Sequence, residues 1–388
     1  MTDLFNRVDW RYSSNIYEVN IRQYTPEGNF QAFAKHIPRL KDMGVKILWL
    51  MPITPISHEK RQGTLGSYYA CSSYVSINPE YGTLDDFKAL VLTAHNAGMK
   101  LIIDWVANHT AWDNVWTKTN PDFFERDEEG NFKPPYDWDD VLQIKHDNTA
   151  EQEAMLEAMK YWVTDFDIDG FRADLAHLTP LPFWIKARTV LSSVKADLIW
   201  LAETETLEYY HAFDIIYAWK WMHATEQVFK NHQSVKNLRE LLDKQQHEFP
   251  KHALQLYFTS NHDENSWNGT EYEKYGMYAQ ALAVFSFTFR DSVPLIYSGQ
   301  ELPNFKRLKF FDKDAIDWNT KPELERFYRL LSSVHHTLEA NADCHWLPAP
   351  ENVFAFSRTG KDNTLLVYLN LGNKHVSFQL GTTFQTTT

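Results

Sequence analysis

Several ionisable residues sit at or just after short apolar runs. Asp104, Asn108 and His109 belong to one run end, Arg172 and Asp174 to the next, Glu203 to a third, and His262 and Asp263 to a fourth. One such residue reads equally well as a structural ion pair. Four run ends carrying them are hard to explain as packing. Cleavage of a bond between sugars uses two carboxylates flanking it, and retention of configuration needs them about 5–5.5 Å apart. Asp174 lies two residues after Arg172, so on a strand both side chains point to one face. A guanidinium beside a carboxylate favours its ionised form, which suits a nucleophile. Glu203 has no cation adjacent in sequence and follows Leu198-Ile-Trp-Leu-Ala202, a setting that suits a proton donor. Asp263 is a third carboxylate, placed to stabilise positive charge or to grip hydroxyls. His109 and His262 read as neutral donors to the same hydroxyls.

These residues need a scaffold that gathers strand ends. Apolar runs predict strands at Asn15–Tyr24, Val45–Ile53, Leu101–Ala107, Ile168–Ala173, Leu198–Ala202, Asp214–Ala218, Leu254–Thr259 and Val293–Tyr297, with helix-period segments between them. Eight parallel strands wrapped in helices make a (β/α)₈ TIM barrel, which needs about 250 residues and places its active site at the C-terminal strand ends. Thr83, with Asp86 three residues later, predicts a capped helix whose inner face carries Phe87, Leu90, Val91 and Ala94 and which stops at Gly98. Met155, Met159 and Trp162 fall at helical spacing and read as core.

Two departures from alternation set the domain limits. The stretch 110–148, rich in Asp, Asn, Pro and Trp, is too long for a connector and reads as a functional insertion after the third strand. From about 341 the pattern becomes strands only, at Val353–Ser357, Thr364–Leu371 and His375–Leu380, which predicts a small, partial C-terminal β-domain over 341–388. The barrel then takes 1–109 and 149–340.

Composition narrows the function. A net charge of −13 argues against nucleic acid or an anionic membrane as partner. The short basic cluster Lys306, Arg307 and Lys309 reads as a solvated face. Cys71 and Cys344 make no disulfide framework and read as unpaired thiols. With no signal-like start and no apolar run of about 18 residues, the cytoplasm is the expected location, or the periplasm or cell exterior if a signal peptide has been removed.

The motifs Asp104-Trp-Val-Ala-Asn-His109, Gly170-Phe-Arg-Ala-Asp174, Leu201-Ala-Glu203 and Phe258-Thr-Ser-Asn-His-Asp263, flanked by Gly44-Val-Lys-Ile-Leu-Trp-Leu-Met-Pro52 and Pro294-Leu-Ile-Tyr-Ser-Gly-Gln-Glu301, resemble those of the α-amylase family, glycoside hydrolase family 13, in order and over essentially the whole chain. The resemblance implies Asp174 as nucleophile, Glu203 as acid/base and Asp263 as transition-state stabiliser. It implies substrate contacts from Asp104, His109, Arg172 and His262. It also places Tyr69, in Gly66-Ser-Tyr-Tyr-Ala-Cys-Ser-Ser-Tyr74, where the family stacks a tyrosine on the sugar being cleaved, although Tyr68 replaces the usual glycine. The insertion corresponds to a short domain B and the last segment to domain C.

Some family positions differ. His177 and Leu178 stand where many members have Lys-His, and Gln143 stands where an acid commonly binds calcium. Asn108 remains as one ligand, and Asp137, Asp139, Asp140 and Asp147 are nearby acids. Calcium takes six to eight oxygens. The expectation is no required cofactor and no calcium at the family's usual site. The expected substrate is an α-glucan with α-1,4 bonds: starch, glycogen or maltooligosaccharides. A glucanotransferase, or preference for α-1,6 bonds, sucrose or cyclodextrins, stays open within the same chemistry. A non-catalytic amylase-like binding subunit would have shed carboxylates that this chain keeps. A β-glycosidase using two glutamates would leave the Arg172–Asp174 pair unexplained.

Overall fold

The computed structural model describes residues 5–251, 253–318, 323–339 and 342–377. Its strands are β1 (Ile16–Val19), β2 (Ile47–Leu50), β3 (Lys100–Trp105), β4 (His109–Ala111), β5 (Val141–Gln143), β6 (Gly170–Ala173), β7 (Ile199–Ala202), β8 (Ile215–Tyr217), β9 (Leu254–Tyr257), β10 (Ser292–Tyr297), β11 (Asp343–Trp346), β12 (Val353–Thr359) and β13 (Thr364–Asn370). Eight of them close a parallel barrel in the order β1-β10-β9-β8-β7-β6-β3-β2. This is the (β/α)₈ architecture, and each predicted apolar run contributes one barrel strand.

Register and the two-residue period decide which side chains face inward. Ile16, Ile47, Trp49, Ile102, Ile199, Leu201, Ile215, Leu254, Leu256, Val293 and Leu295 pack together as the plug inside the barrel. The alternate residues, among them Tyr17, Leu48, Leu101, Ile103, Phe171 and Trp200, pack outward in the larger core under the helices. The inward parity continues upward, and pairing of Glu18 with Trp49 and of Asp104 with Arg172 brings polar groups onto the plug. Gly170 opens β6 at φ +151°, where an added Cβ would lie 1.9 Å from the Ile199 carbonyl oxygen. Glycine there lets β6 approach β7 and so sets the height of Arg172 and Asp174.

The helix Leu84–Asn96 forms with the Thr83–Asp86 capping box and buries Phe87, Leu90, Val91 and Ala94 as expected. Asn148 caps Thr149–Phe166, which buries Met155, Met159 and Trp162. The first strand is shorter than expected. It ends at Val19, because the Asn20 side chain accepts from the Gln23 amide and starts a short helix, Ile21–Tyr24. In the insertion, β4 and β5 pair antiparallel, His109 opposite Gln143.

The C-terminal segment forms a three-stranded antiparallel sheet, β11-β12-β13. Its first strand was not anticipated. Asp343–Trp346 alternates between exposed and half-buried positions and offers no apolar run. Of the expected strand His375–Leu380, residues 375–377 are not in a strand and 378–380 lie outside the described residues. Phe354 and Phe356 dock the sheet on the barrel, each ring 6.1 Å from Phe285, which stacks on Trp221 at 4.0 Å. Cys71 and Cys344 are both free thiols.

Candidate active site

Arg172 is fully buried and organises the barrel mouth. Its Nη1 donates to Asp104 Oδ1 at 3.0 Å and Asp174 Oδ1 at 2.9 Å, and its Nε donates to the Tyr217 hydroxyl at 3.2 Å. Its Nη2 lies 2.9 Å from Glu203 Oε2, an ion contact without hydrogen-bond alignment. One guanidinium therefore meets three carboxylates. Glu203 has no cation adjacent in sequence, but the fold supplies one. Arg172 is remote in sequence but adjacent in register, because β6 pairs with β7.

Burial outweighs the guanidinium. It pushes Asp104 up to about 7 despite the pull of Arg172. Burial also raises Asp174 above the usual carboxylate range, with Arg172 opposing it. A guanidinium shared by three carboxylates thus does not hold Asp174 as firmly ionised as the sequence suggested.

The two oxygens of Asp174 differ. Oδ1 is held by Arg172, whereas Oδ2 is buried with no hydrogen-bond partner and has His109 Nε2 3.9 Å away. Glu203 Oε2 accepts from the Leu175 amide at 2.9 Å. Leu175 makes this possible by adopting a left-handed backbone, φ +38°, a costly conformation for a residue with a Cβ. Asp263 is the most open of the three, its side chain 39% exposed.

The histidines diverge. Burial draws His109 down to about 4, so it is neutral, as expected. Burial alone would do the same to His262, but the carboxylates of Asp263 and Glu18 outweigh it and raise His262 to about 9. These two carboxylates favour the imidazolium over the neutral donor expected.

Tyr69 donates to Asp104 Oδ2 at 3.1 Å and meets His262 Nε2 at 2.7 Å. Its ring is stacked on His262 and parallel to Phe310. Tyr68 points away, buried under the Arg22 guanidinium at 4.2 Å.

A cavity of about 380 Å³ opens over this cluster, lined by Tyr69, His109, Asp174, Leu175, Glu203 and Asp263, with Gln62, Trp138, Asp140, Trp267, Phe310 and Phe311 around the rim. Asp104, Arg172 and His262 do not line it; they lie one layer below, shaping the groups that do. A larger cavity, about 450 Å³, lies near β11 and the start of β9 but holds none of these carboxylates, so size alone does not locate the site. Sequence reading missed Glu18 and the rim aromatics. Glu18 had a signal, a lone inward acid in an apolar strand. Trp267 and Phe310 had none, because nothing local shows that their loops meet.

The model of the alpha-amylase catalytic domain matches residues 5–143 and 127–335. The chain belongs to the alpha-amylase family. Alpha-amylase MalA of Haloarcula japonica is 25% identical over 94% of this chain and 56% of its own length. Alpha-amylase 2 of Dictyoglomus thermophilum is 23% identical over 99% of this chain and 74% of its own length. Among solved structures, an alpha-amylase from Lactobacillus plantarum superposes with TM-score 0.87 at 30% identity, covering 94% of this chain and 90% of that one. The maltogenic alpha-amylase AmyB from Thermotoga neapolitana gives 0.87 at 33%, covering 93% and 86%.

At the junction of insertion and barrel, this alpha-amylase-family enzyme uses a side-chain amide. Gln143 Nε2 donates to Asn108 O at 3.1 Å, Asn108 Oδ1 at 3.0 Å and Ile144 O at 3.1 Å. Those oxygens are of the kind a calcium ion would take, and a donor already occupies them. Among the described residues no group of three or more His, Cys, Asp or Glu is arranged to hold a metal. No helix among the described residues is long and apolar enough to cross a membrane.

Proposed function

We propose that this enzyme hydrolyses α-1,4-glucosidic bonds in starch, glycogen or maltooligosaccharides with retention of configuration. Asp174 is the nucleophile, Glu203 the acid/base and Asp263 the transition-state stabiliser. The observation that carries this reading is the asymmetry of Asp174. One oxygen is fixed by Arg172, and the other is buried without a hydrogen-bond partner, on a residue that lines the cavity. Glu203 contacts the other terminal nitrogen of the same guanidinium, and one cation reaching both carboxylates supports the closely spaced pair that retention uses. Asp174 Oδ2 attacks the anomeric carbon while Glu203 protonates the departing glycosidic oxygen. A glycosyl-enzyme forms, and Glu203 then takes a proton from the water that releases it. Asp263, the most exposed carboxylate, faces the positive charge that develops on the ring. Tyr69 and Trp138 supply aromatic faces for the sugars. The names of relatives support the substrate class: they include a cyclomaltodextrinase, 26% identical over 89% of this chain, and a maltogenic alpha-amylase, 24% identical over 91%.

Transfer to a sugar acceptor is the second reading. A maltosyltransferase from Rhodospirillum rubrum is 34% identical over 49% of this chain. Incubation with maltoheptaose, pullulan, sucrose and cyclodextrin, with products followed by chromatography and early proton NMR, separates the readings. Hydrolysis gives shorter oligosaccharides appearing first as α-anomers. Products longer than maltoheptaose would mean transfer dominates, and an initial β-anomer would remove Asp174 as nucleophile.

A further inference from the structure

Beneath the cavity, His262 is held at both ring nitrogens. Nδ1 lies 2.5 Å from Glu18 Oε1. On the other side Nε2 lies 2.7 Å from the Tyr69 hydroxyl and 3.3 Å from Asp263 Oδ2. Glu18 is fully buried in the barrel wall, and its second oxygen has no hydrogen-bond partner. A carboxylate accepts and does not donate, so a ring nitrogen facing one is best matched when it carries a proton. Carboxylates at both ends of the ring therefore call for a proton on each nitrogen. The remaining hydroxyl, Tyr69, points its own proton at Asp104 Oδ2, leaving its oxygen free to accept from His262.

We propose that Glu18, at the end of β1, is a positioning residue that keeps His262 doubly protonated and so fixes Asp263 and Tyr69 at the cavity wall.

The surroundings set the balance. Asp263 on the same loop and Glu18 from β1 favour the imidazolium, whereas Arg172 from β6 and burial oppose it. Asp104 from β3 meets Tyr69 and, like Asp174 after β6, also feels the charge on the ring, and Trp49 from β2 presents an uncharged ring 6.0 Å away. Without Glu18, Asp263 alone would face both burial and Arg172. A neutral His262 protonated on Nδ1 would turn an Nε2 lone pair toward Asp263 Oδ2. The carboxylate would then lose its donor and turn from the sugar. Glu18 does not line the cavity and acts wholly through the ring.

The test is a titration of the full chain labelled with ¹⁵N-histidine, with His262 assigned from the spectrum of His262→Asn. His262 should remain an imidazolium past neutrality in the unsubstituted protein, with a midpoint near 9. In Glu18→Gln the midpoint should fall by about one pH unit or more. The kinetic companion is the ratio of kcat in Glu18→Gln to that of the parent, measured from pH 6 to 9. Each pH unit above the variant's midpoint lowers its imidazolium fraction about tenfold, so the ratio should fall as pH rises. Glu18→Asp, which keeps the charge, should recover part of both readouts. An ordinary imidazole midpoint in the parent protein overturns the proposal, and needs no variant to fold. So does an unchanged midpoint in Glu18→Gln, or a kcat ratio that does not vary with pH. The kinetic arm rests on the roles proposed above for Asp263 and Tyr69. Were the titration as expected in a protein inactive on α-glucans, the Glu18–His262 pairing would stand and the substrate reading would fall.

Discussion

Asp169 and Asp174 lie at opposite ends of one short strand, and they are treated in opposite ways. At the N-terminal end, Asp169 is fully buried and fully satisfied. It meets His95 Nε2 at 2.7 Å, Lys100 Nζ at 3.0 Å, Lys195 Nζ at 3.1 Å and the Leu101 amide at 2.9 Å. Burial alone would raise it, but these donors bring it down to about 2. At the C-terminal end, Asp174 shares one guanidinium with two other carboxylates, is raised by burial, and keeps one oxygen unpartnered. The lower end spends its polar groups on stability. The upper end withholds them, and unsatisfied groups in a cavity are what a substrate can complete.

The largest effect should come from breaking the upper end. Asp174→Asn should reduce kcat roughly 10⁴-fold or more, and Glu203→Gln about 10²–10⁴-fold. Neither should lower the melting temperature, because each removes one charge from a crowd that Arg172 does not fully neutralise. Near-normal turnover in Glu203→Gln, with loss of activity in Glu205→Gln, would show the wrong acid has been chosen. A large fall in Tm in either variant would break the contrast between the two ends.

The opposite pattern is expected of Asp169→Asn. It should keep kcat within a few-fold and lose about 2–3 kcal/mol of stability at pH 7, since it removes a buried carboxylate that two lysines and a histidine share. The sign with pH follows from a folded value below the unfolded one. The stability Asp169 contributes is present above about 4, the unfolded carboxylate range. It is lost as pH falls through the folded value of about 2. The Tm gap between parent and variant should therefore close between pH 4 and 2. A gap constant across that window would mean the carboxylate charge is not what stabilises the lower end.

Tyr69 and Tyr68 repeat the comparison one residue apart. Tyr69 lines the cavity and Tyr68 is buried against Arg22. Tyr69→Ala should raise KM or lower kcat about tenfold, the effect of one lost aromatic face of roughly 1 kcal/mol or more. Tyr68→Ala should act on stability instead, through the cavity it leaves. Equal losses of activity per folded molecule would mean that both rings serve the site.

The barrel was legible because burial on both faces forces its strands into apolar runs, and the run ends at Asp104, Asp174 and Glu203 stand out against them. What was illegible was non-local. The charge of His262 depends on Glu18, 244 residues away in sequence. The cation beside Glu203 arrives through strand register. β11 escaped because a half-exposed edge strand needs no apolar pattern, and the first strand was overextended because Asn20 is an N-cap, which acts over three residues and not over a run. The reading of Tyr69 over Tyr68 came from resemblance, and the geometry places Tyr69 at the cavity.

The smallest effect should come from removing metal. At the junction beside the active site, Gln143 donates to the oxygens that would otherwise have to be held by a cation or by water. A ligand that binds the folded state at a hundred times its Kd stabilises by about 2.7 kcal/mol, which in a domain of this size is a Tm shift of several degrees. With Gln143 in place, chelation by EDTA should therefore shift Tm by less than about one degree and leave activity unchanged. Gln143→Glu exchanges the donor for a carboxylate facing Asn108 Oδ1 and two backbone carbonyls. That variant should lose stability in EDTA, where four oxygens repel, and regain it with added calcium, where they become ligands. A parent protein whose Tm falls by many degrees in EDTA and recovers with calcium would show that Asp137, Asp139, Asp140 or Asp147 supplies a site elsewhere in the insertion. The upper end of the barrel would then be stabilised by an ion and not, as the amide geometry argues, by hydrogen bonds alone.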